Sequence, residues 1–344
     1  MPETLKLADD IAKAAIQGKD ALMECLDNNR KKPEFIEELR NAALIVIDKR
    51  YYDLACDLYE NLISEDIELW IKMEAMHNIG YCLDQQKCYK DSIAAYSKVI
   101  TIGSCDEGSH GEGRASYTNA LRARGMIRKD ELKDLDGAIS DFEILAATIQ
   151  EHEFENLTDT LLTLSQMYLD ASDFQKIWET NKKVLKIDPF NNDAIRFMIT
   201  AAAKLDKASR LVDILTDIAE QYNDAQGWFN LGRVEAVLNT PFPFYMHFKR
   251  AVELDPENLD ALFCEGLGFE RFGLLEKAKE LYRKFLKKTS EYDIDREWVV
   301  RHIDNINRTL ESKHEAGSNK HINNGQLPDD INKIKVRQRR IYSL

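Results

Sequence analysis

A seven-residue turn occurs twice in this chain. Residues 188–194 read Asp-Pro-Phe-Asn-Asn-Asp-Ala, and residues 255–261 read Asp-Pro-Glu-Asn-Leu-Asp-Ala. The two copies share Asp, Pro, Asn, Asp and Ala at matching places and lie 67 residues apart, which is two periods of about 34. A turn that recurs at this spacing predicts an array of helix pairs, because each pair buries its apolar face only against its neighbours.

The composition agrees with a stacked helical array. A chain of 344 residues is too long for one ordinary core unless that core extends in one dimension, and a hydrophobic content of 44% is enough for a large interior. Only 15 glycines and 7 prolines are present, which favours long helices over many short strands. The net charge of −13 argues against a general nucleic-acid binder, because an acidic surface repels phosphate.

The residues around the second copy of the turn form a known pattern: Trp228, Leu231, Gly232, Phe248, Ala251 and Pro256. This order resembles the tetratricopeptide repeat (TPR) family, in which small residues let two helices approach and bulky residues fill the spaces between neighbours. Four repeats combine the motif's glycine with its second-helix aromatic: Gly80 with Tyr96, Gly125 with Phe142, Gly232 with Phe248, and Gly266 with Tyr282. The resemblance implies an all-α, right-handed superhelical solenoid of about seven TPR-like helix pairs with capping helices.

The chain divides into four predicted segments. Residues 1–35 are expected to form N-terminal capping helices, 36–290 the TPR-like repeat array, 291–313 a C-terminal capping helix, and 314–344 a disordered basic tail. Caps are needed because the terminal repeats would otherwise expose an apolar face to water. Residues 331–344 carry five basic side chains and no acidic one, so the tail is basic on an otherwise acidic chain. The tail is either a plain solvated extension, a docking segment for an acidic partner, or a self-inhibitory segment.

The resemblance implies that ligands lie in a concave groove lined by the first helix of each repeat. Those positions supply the candidate partner-binding residues Arg40, Asn41, His77, Asn78, Tyr81, Asn119, Arg122, Arg196, Phe197, Phe229, Asn230 and Arg233, together with Phe263. Arginine and asparagine bind carboxylates and peptide backbone well, and aromatic rings supply stiff contact area. We expect these side chains to face solvent. The alternative is a merely solvated helix face.

The candidate residues separate into two predicted subsites. The first holds a ligand through charge-assisted and amide hydrogen bonds: Arg40, Asn41, Asn78, Tyr81 and Arg122. The second is more apolar: Phe197, Phe229 and Arg233.

The carboxylate clamp that some repeat arrays use for chaperone C-termini is a further alternative. It would use Asn41 and Asn78, but Glu37 stands where a lysine belongs, and Arg124 fits only with a shifted register. Two of its five residues match.

The sequence contains none of the usual motifs of catalytic or metal-binding sites. The six cysteines have no CxxC spacing, and Cys82, Cys88 and His77 fit no usual zinc arrangement. The glycine-rich stretch 104–113 lacks the GxxxxGK[ST] pattern of a phosphate-binding loop, and no HExxH, GxSxG or GxGxxG motif occurs. We therefore predict no enzymatic activity, no cofactor and no metal. No signal peptide or long apolar window is present, which favours a cytoplasmic protein.

The predicted function is protein–protein recognition. The chain would act as an adaptor or scaffold whose groove binds a peptide or helix of a partner protein. The alternative is a regulatory sensor that changes superhelix shape when it binds a short signalling peptide. A sensor should bind a short peptide without any other partner and become more compact when it does. A scaffold should instead retain a folded partner protein. No small-molecule substrate and no transmembrane segment are expected, and nucleic acid is disfavoured except through the basic tail.

Overall fold

The computed structural model describes residues 4–104, 111, 113–149, 153–238, 244–289 and 294–317. These residues form α-helices joined by turns, and no strand occurs among them. Within this described part, no helix is long and apolar enough to cross a bilayer. The chain separates into two compact units, Met1–Met167 and Tyr168–Leu344, which are described in turn.

The first unit consists of helices that pack mainly against their neighbours in sequence. They are α1 (Thr4–Gln17), α2 (Lys19–Asn29), α3 (Phe35–Asp48), α4 (Tyr52–Ser64), α5 (Leu69–Gln85), α6 (Tyr89–Gly103), α7 (Arg114–Asp130), α8 (Leu135–Thr148) and most of α9 (Phe154–Asp170). Pairing of consecutive helices across short turns is the contact pattern of a repeat solenoid.

Helix α1 covers the first helix pair. Ala8 and Ile11 are buried in one apolar cluster with Leu39 of α3 and Leu58 of α4. The buried Glu38 carboxylate also accepts a hydrogen bond from the backbone N–H of Ala8 at 3.0 Å, which joins α3 to α1. This helix therefore removes from water the apolar side that the first pair would expose.

The second unit also consists of helices that pack mainly against their neighbours in sequence. Its helices are α10 (Phe174–Ile187), α11 (Asn192–Leu205), α12 (Ala208–Tyr222), α13 (Ala225–Leu238), α14 (Tyr245–Leu254), α15 (Leu259–Arg271), α16 (Leu275–Lys288) and α17 (Ile294–Gly317). Val299 and Ile306 of α17 are buried against Tyr282 and Phe285 of α16. Helix α17 thus covers the apolar side of the last pair.

The duplicated turn has the same hydrogen bonds in both copies. The Asn191 side chain accepts from the backbone N–H three residues later at 2.9 Å, and Asn258 does the same at 2.8 Å. Asp188 and Asp255 each accept from the N–H two residues on, at 3.3 and 3.1 Å. The shared Asp therefore shapes the turn and the shared Asn caps the following helix, which explains why both recur.

In four helix pairs the glycine of the first helix lies directly against an aromatic ring of the second. A Cβ added at these glycines would come within 3 Å of a ring carbon: 2.7 Å for Gly80 on Tyr96, 2.8 Å for Gly125 on Phe142, 2.9 Å for Gly232 on Phe248, and 2.7 Å for Gly266 on Tyr282. Such distances allow no side chain at the glycine position. The structure confirms the predicted TPR-like pairing and the all-α repeat fold.

Glu265 of α15 is a buried carboxyl group without a hydrogen bond to the described residues. Burial raises its pKa to about 7, although Lys249 and Lys284 lower it in part and Glu253 adds to the rise. A raised folded-state pKa means that the folded chain binds the proton more tightly than the unfolded chain between about pH 4.5 and 7. The carboxyl group therefore stabilises the fold least above pH 7.

We expect Glu265→Gln to raise the free energy of unfolding by about 1–2 kcal/mol at pH 8, because the amide carries no charge to desolvate. At pH 5 the wild-type carboxyl is protonated in the folded state, so the difference should shrink towards zero. Denaturant unfolding at both pH values measures this. The exposed Glu220→Gln should change stability little at either pH. An equal gain from Glu265→Gln at both pH values would show that its ionisation does not matter.

Candidate functional site

A cavity of about 550 Å³ lies between α7 and α9 in the first unit. Helix α7 lines it with Arg114, Ala115, Thr118, Asn119 and Arg122, and helix α9 with Asn156 and Asp159; Leu145 and Ile149, at the end of α8, complete the wall. The α7 residues recur at intervals of three and four, which places them on one face of the helix. Two predicted groove residues, Asn119 and Arg122, are brought together here.

Both guanidinium groups in the cavity already have partners. Arg114 forms an ion pair with Glu153 and donates to the backbone carbonyl of Thr148 at 3.3 Å. The Nη2 of Arg122 donates to the Thr160 hydroxyl at 3.4 Å, a long and therefore weak hydrogen bond. The charge of Arg114 is thus neutralised by Glu153. Arg122 has no ion pair among the described residues.

Asn119 and Asn156 offer unused carboxamides on the two facing helices. Both residues are exposed, and neither side chain has a hydrogen bond to the part of the chain that the structure describes. A carboxamide supplies two donors and one acceptor, which matches the N–H and C=O of a peptide backbone. Asp159, one helical turn beyond Asn156, is also exposed and has no ion pair among the described residues.

The predicted residues of α3 and α5 are held in contacts of their own. Arg40 forms ion pairs with Glu37 at 2.7 Å and Glu74 at 2.6 Å, and lies 5.2 Å from the centre of the Trp70 ring. Two carboxylates and a ring face therefore surround this guanidinium. Asn41 is half-buried beside it in sequence.

His77, Asn78 and Tyr81 lie on α5. The Asn78 amide donates to the Tyr59 hydroxyl at 3.0 Å, and its oxygen lies 3.4 Å from Nδ1 of His77. Burial lowers the pKa of His77, since the protonated ring would lose its water. Tyr81 is exposed and meets the Tyr52 ring edge-on at 6.5 Å. Of these three side chains, Tyr81 is exposed to solvent, whereas His77 and Asn78 are half-buried.

The shifted register that would bring Arg124 into a carboxylate clamp is wrong. Its guanidinium donates to the buried Asp141 carboxylate and to the Ser97 hydroxyl, the latter at 2.8 Å. Arg124 is therefore a packing residue between α7 and α8, because its donors are already used.

The expectation of solvent-facing side chains is wrong for the three residues of the second subsite and for Asn230: Phe197, Phe229, Arg233 and Asn230 are 1–6% exposed. Helix α13 contacts α11, α12 and α14, so its groove face is covered as well as its core face. Arg233 donates to the side-chain oxygens of Asn192 at 3.2 Å and Asn230 at 3.4 Å, and burial lowers its pKa. The neighbouring candidate Arg196 is exposed and forms an ion pair with Asp193 at 2.8 Å.

Nine of the eleven residues that line the cavity were not among the predicted groove residues, and Arg114, Asn156 and Asp159 are three of these. The sequence pattern predicts a repeat that starts at residue 158, and Asp159 is its second residue, which is a groove position. Arg114 and Asn156 lie before the repeats predicted to start near residue 118 and at residue 158. Among the described residues, no group of three or more His, Cys, Asp or Glu side chains is placed to hold a metal ion.

Comparison with known proteins gives remote structural likeness. No family model matches the chain, and no curated protein matches it. A tetratricopeptide repeat protein from Parabacteroides merdae ATCC 43184 is similar at 12% identity, over 79% of this chain and 98% of that one, with a TM-score of 0.39. MamA 41-end from Desulfovibrio magneticus RS-1 is similar at 17% identity, over 50% of this chain and 94% of that one, with a TM-score of 0.34.

The TPR2AB domain of yeast Sti1, in a complex with pHSP90, shares 15% identity over 81% of this chain and 99% of that one, with a TM-score of 0.33. At these identities and TM-scores, the likeness assigns neither a ligand nor a partner to this chain.

Proposed function

We propose that this chain is a protein-interaction adaptor that binds an extended segment of a partner protein in the cavity between α7 and α9. The observation that carries the proposal is a pair of exposed carboxamides, Asn119 and Asn156, on the two helices that line one cavity; neither makes a hydrogen bond to the described residues. An extended peptide has unpaired N–H and C=O groups along both edges, and these groups need partners when they leave water. Two carboxamides on facing helices can supply these hydrogen-bond partners, whatever the side chains of the bound segment are.

The remaining wall suits the rest of such a ligand. Leu145 and Ile149 provide an apolar patch for one side chain of the segment, while Ala115 leaves room for the main chain to approach. The cavity volume lies within the range of about 300–1,000 Å³ typical of ligand sites. Arg114 is held at the wall by its ion pair with Glu153, so this side chain loses little conformational entropy on binding.

The experiment that tests this function is selection of random twelve-residue peptides, displayed on phage, against the full chain. We expect recovery of peptides that bind the purified chain in solution, measured by isothermal titration calorimetry. Failure to recover any binding peptide would overturn the proposal. Recovered peptides also permit the following measurement with variants.

Asn119→Ala and Asn156→Ala should each weaken binding of a recovered peptide about tenfold, because each removes hydrogen bonds worth about 1.4 kcal/mol in all. Both residues are exposed, so neither change should affect folding. The matched control is Asn28→Ala, which removes an exposed asparagine from α2, outside the cavity. Equal affinities for all three variants would move the binding site away from this cavity.

A further inference from the structure

We infer that the segment bound between α7 and α9 carries a lysine or arginine whose side chain pairs with Asp159, so that the partner is basic. This inference rests on the proposed function and specifies its ligand class. It follows from which charges in the cavity remain available.

The charged groups of the cavity differ in what they can still bind. Arg114 is neutralised by Glu153, whereas Arg122 keeps its positive charge, with one long hydrogen bond to the Thr160 hydroxyl and no ion pair among the described residues. The carboxylate of Asp159 is exposed and has no ion pair or hydrogen bond within the described residues. The Thr163 hydroxyl donates to the backbone carbonyl of Asp159, which leaves the carboxylate itself available. A cationic group on the ligand therefore finds a free counter-charge there.

The charge distribution along the chain favours the same ligand. Residues 1–167 contain 32 acidic and 19 basic side chains, whereas residues 168–344 contain 28 of each. The whole net charge of −13 thus belongs to the unit that holds the cavity. A field of this sign attracts a basic segment from a distance and repels an acidic one. Arg122 opposes this field with a single positive charge, whereas acidic side chains exceed basic ones by 13 (32 minus 19) in residues 1–167.

Charge reversal separates the local pairing from the general field. Asp159→Lys and Asp57→Lys change the net charge of the first unit equally, but Asp57 lies on α4, away from the cavity, and both residues are exposed. The probe is the tightest peptide recovered by the phage selection, together with its Lys→Glu counterpart at each basic position in turn.

We expect the recovered pool to be enriched in lysine or arginine at one position. Asp159→Lys should weaken binding of the basic peptide about tenfold and restore binding of one glutamate counterpart, while Asp57→Lys changes either affinity by less than about threefold. Association of the basic peptide should also slow with added salt.

Two results would overturn the inference. One is a pool without basic enrichment, and the other is an equal effect of Asp159→Lys and Asp57→Lys on the basic peptide. If binding then still depends on Asn119 and Asn156, the proposed function stands without its basic partner. A selection that recovers no peptide at all overturns both.

Discussion

Replacing Gly266 with leucine is expected to lower the free energy of unfolding by about 3 kcal/mol. A Cβ at this position would lie 2.7 Å from a carbon of the Tyr282 ring, closer than packed atoms allow. The ring cannot move aside easily, because Tyr282 is fully buried and its hydroxyl donates to Glu270 at 2.7 Å. Overpacking of this kind exceeds the gain of about 1 kcal/mol that leucine brings to a helix in place of glycine.

Denaturant unfolding followed by circular dichroism measures the loss, and hydrogen exchange shows where it falls. Because repeat arrays unfold in parts, we expect faster exchange in α15, α16 and α17 and little change in the first unit. The double variant Gly266→Leu with Tyr282→Ala should lose less than the sum of the two single changes, since the overlap is gone. Wild-type stability of Gly266→Leu would contradict the close contact.

The parts of the fold that depend on local spacing could be predicted from the sequence. Small and aromatic residues at fixed distances identify a helix pair, and the four glycine–aromatic contacts lie where that pattern places them. The duplicated turn predicted the boundary before α11 and before α15, because an Asn that caps a helix acts within three residues of itself.

The site was harder to predict, because exposure depends on helices distant in sequence. Phe229 and Arg233 occupy groove positions of the repeat, yet they are buried, since α13 is covered by three other helices. No spacing rule within one repeat contains that information. Asn119 and Arg122, predicted as groove residues, both line the cavity, but the sequence pattern did not indicate Arg114 and Asn156, which line it with them.

The repeat spacing is irregular in the first half of the chain, and this also explains why the sequence left the position of Arg124 open. The spacing from Tyr96 to Phe142 is longer than one period, so a register inferred from the sequence allows Arg124 to point into the groove. The structure resolves the choice through Asp141, a buried carboxylate on the paired helix that binds Arg124 directly. A buried acid that needs a cation can thus decide which of several nearby arginines faces the interior.

Asp141→Ala is expected to lower the free energy of unfolding by about 3–5 kcal/mol. The carboxylate is 1% exposed and accepts hydrogen bonds from Arg124 at 3.0 Å and from Arg128 at 3.0 Å. Removing it leaves two half-buried guanidinium groups side by side without their shared counter-charge. The exposed Asp136→Ala, on the same helix, should cost less than about 1 kcal/mol.

A second variant tests whether the loss of stability comes from the unpaired arginines or from the absence of charged groups at this position. Replacing the cluster together, as Arg124→Met, Arg128→Met and Asp141→Leu, removes every buried charge and should recover stability to within about 2 kcal/mol of the wild type. Denaturant unfolding of the three proteins gives the comparison. If Asp141→Ala were no less stable than Asp136→Ala, the two arginines would have found water or another acid. The ion-pair cluster would then not be what joins α7 to α8.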